Sequence, residues 1–223
     1  VGGSIAALAG GGLWRVGRKP ADPRFSALME QAEAGLRDGT VPAVQQSVRL
    51  LEQAAARRPE EAKPWGLLAY AHANLADIGT PVETAASMAD AERAARKAFA
   101  IDPDEPYALT AGILLQGSML DRKTTDDRLR SVLAIDPRNV RAMEILVALL
   151  QAAGLDAESW SWNERAVALE PLSPIHQFRR AFKHWIAGRI PQADMVIDRA
   201  AELWPLHPGV WNARFIIRAF TGR

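Results

Sequence analysis

Five prolines recur along this chain at a nearly fixed interval. They are Pro59, Pro103, Pro137, Pro171 and Pro205, and the last three intervals between them are equal. Proline ends a helix, because it lacks the backbone N–H and its ring clashes with the preceding turn. A repeat of about 34 residues predicts copies of one supersecondary unit, each of which buries its apolar face against its neighbours.

Small side chains recur in register with these prolines. The residues five positions before each proline are Ala54, Ala98, Val132, Ala166 and Ala200. The residues twelve positions before each proline are Ser47, Ala91, Thr125, Ser159 and Ala193. Positions seven apart lie on one face of a helix, so this pattern predicts a helix that approaches its neighbours closely.

The segment between two prolines has the pattern of two helices. In the fourth unit, apolar residues at helical spacing cover residues 140–153, Gly154 interrupts the pattern, and a second helix is expected over residues 157–169. Gly188 takes the equivalent position in the next unit, and both glycines are expected to adopt positive φ after a helix. Ser173 is expected to cap the first helix of the fifth unit.

These features resemble the tetratricopeptide repeat (TPR) family over the segment from Arg24 to Pro205. The second unit has Trp65, Leu68 and Ala69 at the first-helix positions of the family pattern. The fourth and fifth units match it at Gly154, Ala166, Pro171, Ala181, Gly188, Ala193, Ala200 and Pro205. The resemblance implies an all-α, right-handed α-solenoid of about five helix-turn-helix units and a partial sixth, over residues 21–223. Departures from the pattern occur at Gly112, Gln116, Arg180 and His184.

The first interval between marker prolines is longer than the others by ten positions. Thr80 and Glu83 have the spacing of a capping box around a proline at the first helical position. We therefore expect a lengthened second helix over residues 81–100 that projects from the stack. An ordered loop followed by a helix of ordinary length is the alternative.

The first twenty residues differ in composition from the rest. Residues 1–14 are uncharged, and Arg15, Arg18 and Lys19 follow. Fourteen helical residues span about 21 Å, whereas a bilayer core is about 30 Å thick. Residues 1–20 are interpreted either as the end of a membrane anchor or as a flexible leader with a linker. Either way the solenoid is expected to begin near residue 21.

The segment after the last marker proline has the pattern of half a unit. Residues 210–220 are apolar around most of a helix, whereas terminal helices of repeat proteins usually carry a polar outer face. We therefore expect a longer chain or a docking partner at this end. A homo-oligomer is predicted through this helix, with self-association by Trp211, Phe215, Ile216 and Phe220.

The sequence contains no recognisable catalytic or metal-binding motif. The chain has no cysteine, and its four histidines lack metal-ligand spacing with carboxylates. The net charge is +1, although residues 172–223 carry eight basic and three acidic side chains. We expect a non-enzymatic protein without cofactor or metal, and no direct binding of nucleic acid.

The TPR resemblance places the first helices along an inner groove that binds a protein or peptide segment. The groove residues that it implies are Tyr70, Tyr107, Arg141, Glu144, Phe178, Arg179, Phe182 and Trp185. The three aromatic residues Phe178, Phe182 and Trp185 also fit a second interpretation. They belong to one apolar stripe at helical spacing, which is typical of a buried core face.

A more specific role follows from resemblance alone. An anchor followed by a basic linker and a TPR array is similar to the C-terminal half of bacterial membrane-anchored regulators of the ToxR-like class, whose sensory domain is periplasmic. This predicts a sensory or interaction domain, with the periplasm favoured, although Arg15, Arg18 and Lys19 favour the cytoplasm. The alternative is a membrane-tethered assembly chaperone like those of cytochrome c maturation.

Overall fold

The computed structural model describes residues 22–78, 81–116 and 121–222, and its ordered elements there are all α-helices. The helices are α1 (Pro23–Asp38), α2 (Val41–Arg57), α3 (Ala62–Ile78), α4 (Pro81–Ile101), α5 (Pro106–Gln116), α6 (Arg122–Ile135), α7 (Val140–Ala152), α8 (Asp156–Leu169), α9 (Pro174–Ile186), α10 (Ile190–Leu203) and α11 (Pro208–Ala219). They pack as five successive pairs followed by α11, which lies against α9 and α10. The predicted all-α solenoid of five units and a partial sixth is confirmed.

The two columns of small residues lie where helices meet. Their ten members are at most 8% exposed, and most of them are fully buried. Both serines of these columns also bond to the first helix of their own unit. Ser47 Oγ donates to the carbonyl of Ala32 at 2.8 Å, and Ser159 Oγ donates to that of Val147 at 2.8 Å. Small side chains therefore bring the two helices of a unit together.

Capping residues recur with the same period. Asp22 before α1 and a residue before each of α5, α7, α9 and α11 accept a side-chain hydrogen bond from the backbone N–H three positions later, and the last four recur every 34 residues. These four periodic capping residues are Glu105, Asn139, Ser173 and His207. Each satisfies one of the N–H groups that a helix leaves unpaired at its start. The predicted cap at Ser173 is confirmed.

Glycines end several of the first helices. Gly39, Gly154 and Gly188 have φ of 75°, 72° and 70°, a conformation that costs glycine little. The predicted positive φ at Gly154 and Gly188 is confirmed.

The second unit is longer than the others. α4 spans 21 residues, in agreement with the expected lengthened helix, and ends at Ile101. Its expected projection from the stack stays a prediction, and α3, with which it pairs, is also long, at 17 residues against 13 in α7 and in α9. The two helices contact each other in the added part, where Thr84 Oγ1 donates to the carbonyl of Ala76 at 3.1 Å. Thr80 and the side chain of Glu83 lie outside the described residues.

The solenoid curves until its first unit meets its later units. The last turn of α1 contacts α9 and the turn that precedes α11. Among the described helices, none is long and apolar enough to cross a membrane. Residues 1–21 lie outside the description, so the division at residue 20 and the membrane anchor stay predictions.

Candidate partner-binding groove

The first helices of four successive units surround a cleft of about 380 Å³, which we call the inner cleft. Its lining combines apolar side chains with charges of both signs. The lining residues are Glu33, Leu36, Lys63, Leu67, Tyr107, Asp136, Arg138, Val140, Arg141, Leu169 and Glu170. Tyr107 and Arg141 were predicted as groove residues, and the structure brings both to this cleft.

The rim of the inner cleft carries accessible charge. Lys63 Nζ lies 2.7 Å from Glu33 Oε1 and 5.9 Å from the centre of the Tyr107 ring. Arg138 is exposed, and its guanidinium makes no ion pair with any residue that the structure describes. Asp136 Oδ1 accepts a hydrogen bond from the backbone N–H of Arg138 at 3.0 Å. A ligand at this rim therefore meets a cation, a carboxylate and an aromatic ring.

Arg141 anchors an ion-pair network at the floor of the cleft. Its side chain is 5% exposed, and Nη1 donates to both carboxylate oxygens of Glu144, at 2.9 and 3.0 Å. Nη2 donates to Glu170 Oε2, which links α7 to the end of α8. Two carboxylates around one guanidinium satisfy most of its donors, as burial of a charge requires.

The network fixes the charge state of its members. Burial alone disfavours the charged form of Glu170, but the neighbouring His176 and Arg141 outweigh it and lower the pKa to about 2. Burial likewise opposes the charge of Arg141, while Glu144 and Glu170 raise its pKa above the ordinary value. Both groups are therefore charged at neutral pH.

Glu144, Glu170 and His176 form the one group in the described chain with the donor atoms and spacing of a metal site, their ligand atoms lying within 4.8 Å of one another. His176 is buried, and its Nε2 lies 3.6 Å from each carboxylate without a hydrogen-bond partner. Arg141 already binds both carboxylates, and Arg37 lies 3.7 Å from Glu170. A divalent cation would be repelled by these guanidinium groups, so the residues fit an ion-pair network better than a metal centre.

Tyr70, Glu144 and Arg179 lie behind the inner cleft. Tyr70 is 4% exposed, and burial raises the pKa of its hydroxyl. Arg179 Nη1 donates to the backbone carbonyl of Glu144, and burial lowers the pKa of this arginine. These predicted groove residues therefore border the buried network, and their contact with a partner stays a prediction.

Phe178, Phe182 and Trp185 lie away from the inner cleft. They pack against the apolar cluster shared by α9, α10 and α11. A Cβ atom on Gly209 would lie 3.0 Å from the Phe178 ring, and the rings of Trp185 and Phe220 are 6.0 Å apart. This placement agrees with the core-face interpretation of the aromatic stripe, and a binding role for the three stays a prediction.

Helix α11 exposes part of the predicted self-association surface. Phe215 and Phe220 are 70% and 77% exposed, whereas Ile216 is half-buried. Trp211 is 45% exposed, but its Nε1 donates to the carbonyl of the marker Pro205 at 2.6 Å. Of these four predicted residues, Phe215 on α11 and Phe220 at its C-terminal cap therefore remain the most accessible.

Most of the basic side chains of residues 172–222 have partners within the fold. Arg180 pairs with Glu164, Arg199 pairs with Glu202, and Arg214 and Arg218 both bind Asp198. Arg179 and Lys183 point into the interior, where they donate to uncharged oxygens. Sequence counts of charge therefore overstate the positive surface of this end.

Sequence reasoning missed several residues of the cleft. Glu33, Lys63, Asp136, Arg138 and Glu170 line it and were not predicted as groove residues. Three of them adjoin the marker prolines directly, since Asp136 and Arg138 flank Pro137 and Glu170 precedes Pro171. The junction between units was thus a usable signal for residues that face the cleft.

No protein-family model and no curated protein matches this chain. Solved structures do resemble it. A thermophilic TPR protein from Thermus thermophilus aligns with a TM-score of 0.54 and 14% identity, over 86% of this chain and 97% of the other. A TPR protein from Parabacteroides merdae aligns at 0.51 and 11% over 90% and 75%, and yeast Tom70 at 0.50 and 12% over 92% and 42%.

This chain has the TPR fold. The regular spacing of the marker prolines, the paired helices and the glycine after the first helix all match that architecture. At identities between 11% and 14%, these three structures inform the fold and leave the function to be argued from the inner cleft.

Proposed function

We propose that this TPR solenoid is a non-enzymatic scaffold that binds a peptide segment of a partner protein in the inner cleft. The observation that carries the proposal is the cleft of about 380 Å³ formed by four successive units. Its apolar walls, including Leu67 and Val140, can bury one or two side chains of a ligand. The charges of Asp136 and Arg138 at its rim can orient the ligand backbone and select charged neighbours.

The chemistry of the cleft suits binding better than catalysis. A general base works best with a pKa near the operating pH, whereas the pKa of Glu170 is about 2. Arg141 also engages Glu144 and Glu170 directly, so neither carboxylate is available to accept a proton from a substrate. Because the helices of each unit are already folded, little ordering cost falls on the scaffold when a peptide binds.

Charge reversal at the rim tests the proposal. The full chain serves as bait for affinity capture from cells of its source organism, beside the variants Arg138→Glu and Arg122→Glu. Both arginines are exposed and make no ion pair among the described residues, but only Arg138 lines the cleft. We expect a partner that the wild-type chain and Arg122→Glu capture and Arg138→Glu loses. Equal capture by all three baits contradicts the proposal.

The finer role that we propose is the sensory or interaction domain of a membrane-anchored bacterial regulator, with the solenoid in the periplasm. Its support is the order of an uncharged segment, a basic linker and a repeat array along the sequence. We expect the gene to encode a winged-helix domain upstream of this segment. We also expect a reporter that is active only in the periplasm to be active when it is fused after residue 223. Additional membrane helices without a winged helix would instead favour the assembly chaperone.

A further inference from the structure

The last turn of α1 is held by the later units of the solenoid. Its last three backbone carbonyls each accept a hydrogen bond from a different one of these units. The pairs are Leu36 O with Arg141 Nη1 at 3.1 Å, Arg37 O with Ser173 Oγ at 3.5 Å, and Asp38 O with His207 Nε2 at 2.9 Å. The carbonyls at the end of a helix lack partners within the helix, so these side chains complete it.

The two ring nitrogens of His207 have different roles in this contact. Its Nδ1 accepts the backbone N–H of Val210, so its Nε2 carries the proton that it donates to Asp38. One side chain therefore starts α11 and holds the end of α1.

Gly39 shows that the approach is close. A Cβ atom on Gly39 would lie 2.6 Å from Ile175 Cδ1, whereas Cβ atoms on Gly154 and Gly188 would meet nothing within 4 Å. All three glycines end a first helix with φ between 70° and 75°. The crowding at Gly39 thus belongs to the contact between the first and fifth units and not to the turn itself.

The contact closes the groove in which the inner cleft lies. α1 supplies Glu33 and Leu36 to the cleft wall, and Arg141 belongs both to the cleft and to the bond with Leu36. While the first unit is held against the fourth to sixth units, a ligand has access to about 380 Å³. Small rotations between successive units would separate the two ends and lengthen the accessible groove.

We propose that the contact of α1 with Arg141, Ser173, Ile175 and His207 is an autoinhibitory clasp, which keeps the groove closed until a partner segment displaces the end of α1. This inference rests on the proposed function, because it concerns access to the same groove. The clasp contains three hydrogen bonds, the ion pair of Arg37 with Glu170 and the apolar contact at Gly39. It joins the apolar cluster around α1 to the separate cluster of α9, α10 and α11, so its opening divides neither cluster.

Two substitutions should open the clasp while preserving the local turns. His207→Asn keeps a capping oxygen, as Asn139 provides at the same position two units earlier, but cannot reach Asp38. Gly39→Asn retains a residue that tolerates positive φ and places its side chain against Ile175. Gly188→Asn is the matched control, since it has the same backbone conformation and open space around it.

Distances between spin labels measure the opening. The chain has no cysteine, so Gln31→Cys on α1 and Leu172→Cys before α9 can be labelled selectively in the full chain. We expect one short, narrow distance distribution in the wild type and in Gly188→Asn. We expect a second, longer distance in His207→Asn and Gly39→Asn. A broad distribution in the wild type, or identical distributions in all four proteins, overturns the clasp.

Partner capture with the same proteins tests inhibition. If the open form is about a tenth of the wild-type population, the opened variants should bind the captured partner about tenfold more tightly. Adding Arg138→Glu should abolish this gain. If the opened variants and the wild type capture the partner equally, and Arg138→Glu still abolishes capture, the clasp is overturned and the proposed function stands. Absence of capture by every bait, including the opened ones, overturns both.

Discussion

At the scale of single residues, the fold buries ionisable groups whose pKa values shift because burial disfavours their charged forms. Lys183 on α9 is 1% exposed, and its Nζ donates to Gln151 Oε1 at 2.7 Å and Ser159 Oγ at 2.6 Å. No carboxylate of the described residues lies within ion-pair distance of it. Burial, with a smaller contribution from the charge of Arg179, lowers the pKa of Lys183 to about 8.

This shift predicts a pH dependence of stability. The ordinary pKa of lysine is 10.5, so between pH 8 and 10.5 the unfolded chain binds more protons at this site than the folded chain. The contribution of Lys183 to the free energy of unfolding therefore rises with pH in that window. In Lys183→Met this rise should disappear, as measured by urea denaturation at pH 8 and 9.5. A slope equal to that of the wild type would contradict the burial of a charged amine.

Glu105 shows the opposite behaviour. Its side chain is 3% exposed and caps α5, where Oε2 accepts the N–H of Ala108 at 2.6 Å. Burial raises its pKa to about 7, although the N–H groups of Ala108 and Tyr107 partly offset this effect. A Cβ on Gly66 would overlap this carboxyl group, which explains the glycine within α3.

A second prediction concerns this cap. The ordinary pKa of glutamate is 4.5, so between pH 4.5 and 7 the folded chain binds more protons at Glu105 than the unfolded chain does. The contribution of Glu105 to the free energy of unfolding therefore falls as the pH rises through this window. Glu105→Gln keeps the cap oxygen and should remove this loss. Glu105→Ala should cost about 1 kcal/mol even at pH 5, because the cap is gone. Thermal unfolding at pH 5 and 7.5 checks both, and an unchanged pH profile in Glu105→Gln refutes the assignment.

At the scale of elements, the helices follow from local sequence. The marker prolines, the small columns and the glycines at 154 and 188 predicted five pairs and a final helix, because each feature acts within one or two turns. The extension of α3 was missed, because the capping signal at Thr80 was interpreted as the start of a lengthened α4 alone and all ten added residues were assigned to that helix. The end helix α11 was correctly placed, but Trp211 is engaged by the repeat junction.

A third prediction belongs to α11. Phe215 and Phe220 present two exposed rings on an uncovered helix, and burying apolar area favours association. We expect the apparent mass of the wild type to rise with concentration in light scattering, and Phe215→Ser with Phe220→Ser to remain monomeric. Met195→Ser with Leu206→Ser is the control, because both side chains are exposed and apolar but lie outside α11. Association weakened equally by both double variants would exclude a specific role of α11.

At the scale of the whole molecule, the decisive contacts join residues far apart in sequence. Arg141 bonds to the carbonyl of Leu36, and His207 bonds to that of Asp38, so each joins the first unit to a distant one. Sequence analysis placed Tyr107 and Arg141 on the groove side, and both line the cleft. It could not predict that the ends meet, because the curvature is a sum of small rotations between units that no local motif encodes.

The inner cleft is the proposed surface that meets a partner, and site-specific photo-crosslinking at its rim tests this most directly. A photoreactive amino acid replaces Arg138 at the cleft rim or, as the matched control, Arg122 on the exposed start of α6. After illumination in source cells, we predict a crosslinked peptide from one partner segment at position 138 and none of that peptide at position 122. Crosslinks of equal yield to the same proteins at both positions, or crosslinks at position 122 alone, would contradict partner binding in the inner cleft.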